Sequence, residues 1–157
     1  MILYHGTNVE IETIDLLKSK PNKDFGKGFY LSDNYEQAMD LAIVKFEQLD
    51  FGEPRVIAYE VNDSELSQLR VLRFDDYSED WAKFILLNRN NPHREQAHNY
   101  DVVIGPIAND RVGVQLWKYE TKSIDLPTLV HNLRYMKGVT FQYFFGTQTA
   151  INLLKRI

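Results

Sequence analysis

Short apolar stretches with a period of two residues predict the strands of this chain. In the segment 55–62, Ile57, Tyr59 and Val61 fall on one side, which is the pattern of a strand with one well-buried face. The apolar run at 102–104 stops at a glycine and a proline, as expected of a short buried strand. Further strands are predicted over 1–4, around the aromatic pair 29–30, and over 139–145.

Apolar residues at helical spacing predict the helices. In the segment 33–49 they recur near one face, and Ser32 or Asp33 can cap the N-terminus of that helix. The same reasoning predicts helices over 78–88, 111–118 (capped by Asn109 or Asp110), 128–136 and 147–155. Strands and helices mix without strict alternation. The pattern therefore favours a single α+β domain over residues 1–157 and not a doubly wound sheet.

Two motifs near the N-terminus carry the candidate chemistry. The first is Tyr4-His5-Gly6-Thr7, and the second is Gly26-Lys27-Gly28-Phe29-Tyr30-Leu31-Ser32. The glycines allow another backbone or a flat ligand to approach closely. A histidine ring nitrogen, the unobstructed amide groups of a glycine and the flat face of a tyrosine together suit a planar carboxamide attached to a ribose.

Taken singly, each of these residues has a simpler interpretation. A lone histidine after a strand is more often a core or loop residue than a ligand contact, and a tyrosine on an apolar strand usually belongs to the core. The joint arrangement reverses this, because several features meet the needs of one ligand. The other histidines, His93, His98 and His131, lack carboxylates at metal-ligand spacing, so the sequence predicts no metal site.

The two motifs resemble those of the ADP-ribosyltransferase superfamily, in its diphtheria-toxin-like and poly-ADP-ribose-polymerase-like branch. That branch carries a His, Tyr and Glu (or substitute) triad on three strands. Along nearly its full length the chain also resembles the small bacterial family DUF3990, including the stretch 100–110 and the late Gln142-Tyr143-Phe144-Phe145. The superfamily implies an α+β fold in which two small, mostly antiparallel sheets clasp an NAD cleft, with flanking helices.

The resemblance also implies how individual residues would hold NAD as a co-substrate. His5 would bond a hydroxyl of the adenosine-side ribose, the main chain of Gly6 would bind the nicotinamide amide, and Tyr30 would stack on the nicotinamide ring. Ser32 would buttress His5, and Thr7 would lie close to the ribose or the turn. The remaining members of the implied NAD-binding set are Lys27, Phe29 and Leu41.

A neutral residue takes the place of the superfamily's catalytic carboxylate. Related enzymes place Glu at the start of a late strand, and here the corresponding residue is Gln142, so the implied catalytic set is His5, Tyr30 and Gln142. An amide can orient a ribose hydroxyl but stabilises a nearby cation less. Three alternatives follow: a slower transferase, a transferase with a different kind of acceptor, and a binder without chemistry. In a purely structural interpretation, Gln142 is an exposed residue of an edge strand.

Other positions near the motifs also carry two interpretations. Leu41 stands where related enzymes often have a second aromatic, so it either covers the ring as an apolar lid or packs in the core. Lys20, Lys23 and Lys27 lie in the loop between the motifs and either neutralise the pyrophosphate or are solvated, with Lys27 the best candidate. The stretch 100–110 is interpreted as structural first, with Asp101 bracing a loop at the cleft.

Composition narrows the setting of this chemistry. The chain has 157 residues and no cysteine, which excludes a disulfide framework and a thiolate metal site. It contains no apolar run near the length of a membrane span, and its N-terminus does not have the pattern of a signal peptide. We therefore expect a cytoplasmic protein without a membrane partner. The net charge of −4 argues against broad nonspecific binding of nucleic acid but allows a local basic groove.

These inferences together predict an NAD-dependent mono-ADP-ribosyltransferase, a glycosyltransferase acting on NAD. Small transferases of this branch resemble the toxins of bacterial toxin–antitoxin systems, anti-phage systems included, which implies an antitoxin protein as partner. The acceptor would be RNA, DNA or protein, and the neutral Gln142 slightly favours nucleic acid. The alternative function is a non-catalytic NAD-binding or ADP-ribose-binding module, or an interaction domain.

Overall fold

One mixed sheet of seven strands forms the centre of the molecule. The computed structural model describes residues 1–109, 111–134 and 138–157. Its strands are β1 (Ile2–Thr7), β2 (Phe29–Ser32), β3 (Arg55–Glu60), β4 (Val71–Arg73), β5 (Val102–Pro106), β6 (Phe141–Phe145) and β7 (Lys155–Arg156). Their order across the sheet is β4-β5-β6-β2-β1-β3-β7. β4 and β5 run parallel, and the other neighbours run antiparallel.

Six α-helices and one short 3-10 helix surround this sheet in the described part of the chain. The α-helices are α1 (Tyr35–Leu49), α2 (Asp63–Leu66), α3 (Glu79–Arg89), α4 (Val112–Glu120), α5 (Leu126–Leu133) and α6 (Gln148–Ile151), and the 3-10 helix is Leu16–Lys18. Polar side chains cap several of them. Asn34 accepts a hydrogen bond from the main chain of Gln37 and so begins α1, where Ser32 or Asp33 was expected to do so.

The α+β class is confirmed, but the expectation of two separate small sheets is wrong. β1 and β3 pair along their whole length and β2 and β6 pair along four residues, so every strand belongs to one sheet. The sheet is nevertheless narrowest in its middle. β1 and β2 are joined there by a single residue pair, Tyr4 with Ser32. The two halves of the sheet are therefore held together by very little main-chain pairing.

Two hydrophobic cores lie on opposite faces of the sheet. On the first face, Val103 and Phe144 pack with Trp81 of α3 and with apolar residues of α4 and α5. On the second face, Leu31 and Phe145 pack with apolar residues of β1, β3, α2 and α6. α1 packs against β1. Paired residues of neighbouring strands project to the same side of a sheet, so the pairings of β1 with β2 and of β2 with β6 place α1 on the first face.

Several predicted boundaries shift for identifiable reasons. The helix predicted over 147–155 ends at Ile151, because the chain returns to the sheet and adds β7 beside β3. The helix predicted over 128–136 begins at Leu126 and ends at Leu133. The predicted end residue Met136 and the predicted cap Asp110 lie outside the described residues. α2, β4 and β7 are not predicted from the pattern, because elements of two to four residues show no measurable period.

Asp101 ties together the ends of three strands. Its carboxylate accepts hydrogen bonds from the main chain and guanidinium of Arg70 at 3.0–3.1 Å and from the hydroxyl of Thr147 at 2.8 Å. Its main-chain carbonyl accepts from the N–H of Gly146 at 2.9 Å. These partners lie just before β4 and just after β6, at the end of β6 farthest from Gln142. The brace predicted for the 100–110 stretch therefore exists, but it holds strand ends together.

We expect Asp101→Asn to lower the free energy of unfolding by about 2 kcal/mol near neutral pH, because its charge-assisted hydrogen bonds weaken. The hydrogen-bonded Arg70 guanidinium holds the pKa of Asp101 at about 2. The stabilisation is therefore complete above the ordinary carboxyl pKa and is lost as the pH falls toward that depressed value. Urea titrations across this range measure the effect.

The control is Asp75→Asn, which removes an exposed carboxylate paired with Arg73. We expect it to change the free energy of unfolding by less than about 0.5 kcal/mol. A gap between Asp101→Asn and the wild type that stays constant as the pH falls would contradict the assignment of the effect to this carboxylate.

Candidate functional site

The candidate site begins at the break between β1 and β2. Beyond the single pair of Tyr4 with Ser32, a hydrogen bond from the side chain of His5 connects the two strands. Its Nδ1 lies 2.7 Å from the main-chain oxygen of Tyr30. A carbonyl can only accept, so Nδ1 carries the proton and donates. The two N-terminal motifs therefore lie side by side on neighbouring strands, as predicted.

Burial fixes the protonation state of His5, and the hydrogen bond to Tyr30 fixes its tautomer. Burial, aided by the charge of Lys45, lowers the pKa of His5 to about 3, so the imidazole is neutral under physiological conditions. With the proton on Nδ1, the other ring nitrogen, Nε2, holds a lone pair and is an acceptor. Nε2 makes no hydrogen bond to any residue that the structure describes. His5 can therefore accept a hydrogen bond from a ligand hydroxyl.

The rings of His5 and Tyr30 flank β2 from opposite sides. The imidazole stacks on Phe29, with ring centroids 4.1 Å apart and an angle of 23° between the planes. The phenol ring of Tyr30 instead packs edge-on against Phe144 at 5.3 Å, on the first face. Consecutive residues of a strand project to opposite faces. The two predicted site residues are thus neighbours through the backbone of β2, and their rings do not face each other.

Tyr30 is held at both its hydroxyl and its ring. The hydroxyl donates to the carbonyl of Gly26 at 2.6 Å and accepts from the N–H of Phe25 at 3.0 Å. Burial raises the pKa of Tyr30 well above its usual range, so the phenol stays protonated. The ammonium of Lys23 lies 5.1 Å from the ring centroid. The face on which a ligand ring would stack therefore carries a lysine.

The loop that supplies Lys23 is anchored to α3 and to the segment after it. Asn22 donates to the carbonyls of Arg89 and Asn91 at 3.0 and 2.8 Å. The guanidinium of Arg89 in turn pairs with Asp24 at 2.7 Å. His98 Nε2 donates to the carbonyl of Phe25 at 2.8 Å, which ties the segment after α3 to the same loop. The loop is therefore a well-connected part of the structure.

Gly6 combines a packing constraint with a carbonyl that is bound by a side chain. A Cβ at this position would lie 1.9 Å from the carbonyl oxygen of Ala38, so only glycine lets α1 pack this closely on β1. From the same helix, Lys45 extends its Nζ to within 2.7 Å of the Gly6 oxygen. Burial, with the charges of Lys23 and Lys20, lowers the pKa of Lys45 to about 8. The main-chain group expected to bind an amide is thus already bound by a lysine.

Gln142 occupies an interior strand, so the interpretation of it as an exposed edge residue is wrong. It pairs with Ser32 of β2 on one side and with Gly105 of β5 on the other. Ser32 pairs in turn with Tyr4, so these residues form one row across the narrow part of the sheet. The Nε2 of Gln142 is buried and has no hydrogen-bond partner among the described residues. A buried donor without a partner is costly, and a bound ligand can supply the missing acceptor.

The remaining predicted residues divide between structural and peripheral positions. Ser32 Oγ accepts from the N–H of Asn34, and the support for His5 comes instead from the Tyr30 carbonyl. The Thr7 hydroxyl bonds Val9 and closes a turn, one of the two positions expected for it. Phe29 is buried in the second-face core and Leu41 is 41% exposed on α1, so Leu41 is not a core residue. The main chain of Lys27 is bonded to Gln96.

Lys45 is the residue that sequence reasoning missed. A usable signal exists: Ala38, Ala42 and Lys45 recur at intervals of four and three residues, so they share one face of α1. Two alanines on that stripe indicate close packing, and a lysine continuing it must lie against the protein. The sequence therefore indicates a lysine packed against the protein, but it does not indicate that its partner is Gly6.

Other surface features lie away from this site. A groove along the C-terminal half of α3 is lined by Leu86, Leu87 and Pro92, and a second lies beside the turn from α4 to α5. Neither groove includes His5 or Gln142. Within residues 1–109, 111–134 and 138–157, no group of histidines and carboxylates is placed to hold a metal ion. None of the described helices is long and apolar enough to cross a membrane.

We expect the His5 imidazole resonances to stay constant from about pH 8 to about pH 5 and to shift only on approach to pH 3. The unfolded chain binds a proton at the ordinary histidine pKa while folded His5 does not, so stability falls as the pH drops below that value. NMR titration measures the midpoint. Lys45→Met should raise it, since a nearby positive charge is removed. A wild-type midpoint near 6 would contradict a buried, neutral His5.

Comparison with known proteins places the whole chain in one family. No curated protein matches the chain. A family model matches residues 1–156, and its description is "Protein of unknown function (DUF3990)". Because the match extends over nearly every residue, the chain belongs to the DUF3990 family.

Proposed function

We propose that this protein is an NAD-dependent mono-ADP-ribosyltransferase whose NAD site is the break between β1 and β2. The observation that carries the proposal is the buried amide of Gln142, which lacks a hydrogen-bond partner in the described structure and lies in the same cross-strand row as Ser32 and Tyr4. The neutral His5, which follows Tyr4 in β1, presents at the same break an acceptor nitrogen that has no partner among the described residues. An unpaired donor, Gln142 Nε2, and an unpaired acceptor, His5 Nε2, suit a ribose, whose hydroxyls both donate and accept hydrogen bonds.

In the proposed complex, each group has a defined task. The Nε2 of His5 accepts a hydrogen bond from a ribose hydroxyl, and the Nε2 of Gln142 donates to one. The Gly6 carbonyl accepts from the carboxamide of the nicotinamide, and the Tyr30 ring covers one face of the nicotinamide ring. The protein uses these contacts to orient the two halves of the dinucleotide around the bond that breaks.

The reaction breaks the glycosidic bond between nicotinamide and ribose. The bonding electrons leave with the nicotinamide nitrogen, and the ribose carbon becomes cationic before the acceptor atom attacks it. Gln142 stabilises this cation by its amide dipole, which is weaker than a carboxylate. We therefore expect slow turnover, with substrate orientation contributing more than charge stabilisation.

Two lysines must move for this complex to form. Lys45 donates to the Gly6 carbonyl that the carboxamide would use, and Lys23 lies over the Tyr30 ring that the nicotinamide would cover. Both side chains are long and flexible, so they can withdraw without moving the main chain. NAD entry therefore replaces intramolecular contacts with contacts to the ligand.

The cellular role follows from the superfamily resemblance. We propose an intracellular toxin of a toxin–antitoxin system, with an antitoxin protein as partner and a macromolecular acceptor. Lys20, Lys23 and Lys45 form a local concentration of positive charge in a chain whose net charge is −4. A local basic site in an acidic protein favours nucleic acid as the acceptor over protein.

A non-catalytic NAD-binding or ADP-ribose-binding module is the second candidate function. The observation that favours it is the neutral Gln142 at the position where a carboxylate would support chemistry. Such a module predicts saturable NAD binding without release of nicotinamide.

We expect the purified protein to release nicotinamide from NAD, and His5→Ala and Tyr30→Ala to slow this release by roughly tenfold or more, because each removes a ligand contact. Tyr30→Phe keeps the ring and loses only the bonds to Gly26 and Phe25, so it should retain more activity than Tyr30→Ala. Nicotinamide release is followed by chromatography, and label transfer from NAD into a cell lysate identifies the acceptor.

Treatment of the labelled lysate with nuclease or protease separates nucleic acid from protein as the acceptor. NAD binding without nicotinamide release would support the second candidate function. If the folded wild type binds neither NAD nor ADP-ribose and releases no nicotinamide, both candidate functions are excluded.

We expect Gln142→Met to stabilise the fold and weaken NAD binding at the same time. Methionine fills a similar volume without the unpaired buried N–H, so the free energy of unfolding should rise by about 1 kcal/mol. The lost donor to the ribose should weaken NAD binding by roughly tenfold. Urea unfolding and calorimetric titration with NAD measure the two effects, and the exposed Gln68→Met is the control. A variant that is less stable and binds NAD normally would show that the amide is structural.

A further inference from the structure

Lys23 and Lys45, from two different elements, lie at the break between β1 and β2, and the charge of the exposed Lys20 acts on both of them. Lys20 and Lys23 come from the loop before β2, and Lys45 comes from the third turn of α1. The charges of Lys20 and Lys23 act on Lys45, and those of Lys45 and Lys23 act on His5. Two of these lysines have fixed contacts: Lys45 Nζ with the Gly6 oxygen at 2.7 Å, and Lys23 Nζ over the Tyr30 ring at 5.1 Å.

These lysines form no salt bridge within the described structure, and the charge of Asp24 only partly offsets that of Lys23. Among the described residues, no carboxylate forms a salt bridge with Lys20, Lys23 or Lys45. The positive partner in each described ion pair between side chains is an arginine. The carboxylate nearest in sequence, Asp24, is paired with Arg89 at 2.7 Å. Lys23 and Lys45 are also partly buried, which disfavours a charged amine. Grouped, partly buried ammonium groups without a carboxylate are unfavourable unless an anion joins them.

We propose that Lys20, Lys23 and Lys45 form an anion-binding site for a phosphate or diphosphate group, and that Lys45 exchanges the Gly6 carbonyl for this anion when the ligand binds. The inference rests on the proposed function only for the second half of the exchange, in which a ligand carboxamide takes over Gly6. The anion site itself is inferred from the contacts of Lys23 and Lys45. An ammonium group suits this task, because it is a compact charge with rotatable donors.

The exchange gives Lys45 opposite effects on the two parts of a dinucleotide. An isolated carboxamide must displace Lys45 from Gly6 and offers the ammonium nothing in return. A ligand that also carries a diphosphate compensates this loss with charge-assisted hydrogen bonds. Lys45 is thus a specificity-determining residue that selects ligands carrying both groups over ligands carrying the carboxamide alone.

Calorimetric titration of the purified full chain with inorganic pyrophosphate, at low and moderate salt, tests the anion site. We expect one pyrophosphate per chain, with affinity that falls as salt rises. Lys45→Met and Lys23→Met should each weaken pyrophosphate binding by roughly tenfold. Lys83→Met, which removes an exposed lysine of α3, is the matched control and should bind pyrophosphate like the wild type.

Titration with nicotinamide tests the exchange. Lys45→Met should bind nicotinamide several-fold more tightly than the wild type, because the Gly6 carbonyl is already free, while it binds pyrophosphate more weakly. A lysine with a merely structural role would weaken both. Pyrophosphate affinities of Lys45→Met and Lys23→Met within about twofold of the wild type would overturn the anion site. Lys23 lies in a loop, so its variant decides the question if Lys45→Met does not fold.

The failure of this inference differs from the failure of the proposed function. Pyrophosphate binding that depends on Lys23 and Lys45, in a protein that neither binds nor cleaves NAD, would keep the anion site and remove the transferase. Cleavage of NAD with pyrophosphate binding unaffected by these lysines would do the reverse.

Discussion

The molecule is organised around two main-chain carbonyls that the sheet leaves without a strand partner. β1 and β2 separate after one residue pair, so the oxygens of Gly6 and Tyr30 face the break instead of a neighbouring strand. Main-chain polar groups away from water need a partner, and here two side chains supply it: Lys45 for Gly6 and His5 for Tyr30. The sheet is thereby closed by side chains at its centre.

This arrangement gives the two side chains different properties. The His5 bond involves a donor that is neutral over the physiological range, so it is indifferent to salt and to moderate changes of pH. The Lys45 bond involves a charged group beside other positive charges, which is the property that the proposed anion site uses. The hydrogen bond of His5 to Tyr30 is thus independent of salt and of moderate changes of pH, whereas that of Lys45 to Gly6 depends on the surrounding charges. In the proposed complex, that difference decides which side of the break admits the ligand.

The sequence predicted the parts of the structure that depend on local pattern. The strand over 55–62 and the helix at 33–49 follow from periodicity, and the adjacency of the two motifs follows from the family resemblance. The single continuous sheet was not predicted, since it depends on one pair between strands distant in sequence. Lys45 was missed for a similar reason: its partner Gly6 lies on another element, and no local pattern records that distance. The burial of Gln142 likewise depends on β5 and β2 pairing on its two sides.

Because Asn22 is hydrogen-bonded to the end of α3, the length of α3 affects the position of the candidate site. The side chain of Asn22 donates to carbonyls at and just beyond the C-terminal end of α3. The last carbonyls of a helix have no partners within the helix, so the loop that carries Asn22 and Lys23 caps α3. Each residue added to a helix turns its end by about 100° and advances it by about 1.5 Å. An insertion or deletion in α3, which is far from β1 and β2 in sequence, would move this cap and carry Lys23 off the Tyr30 ring. Natural variation in the number of α3 residues is therefore expected to be more restricted than its solvent-facing surface alone would require.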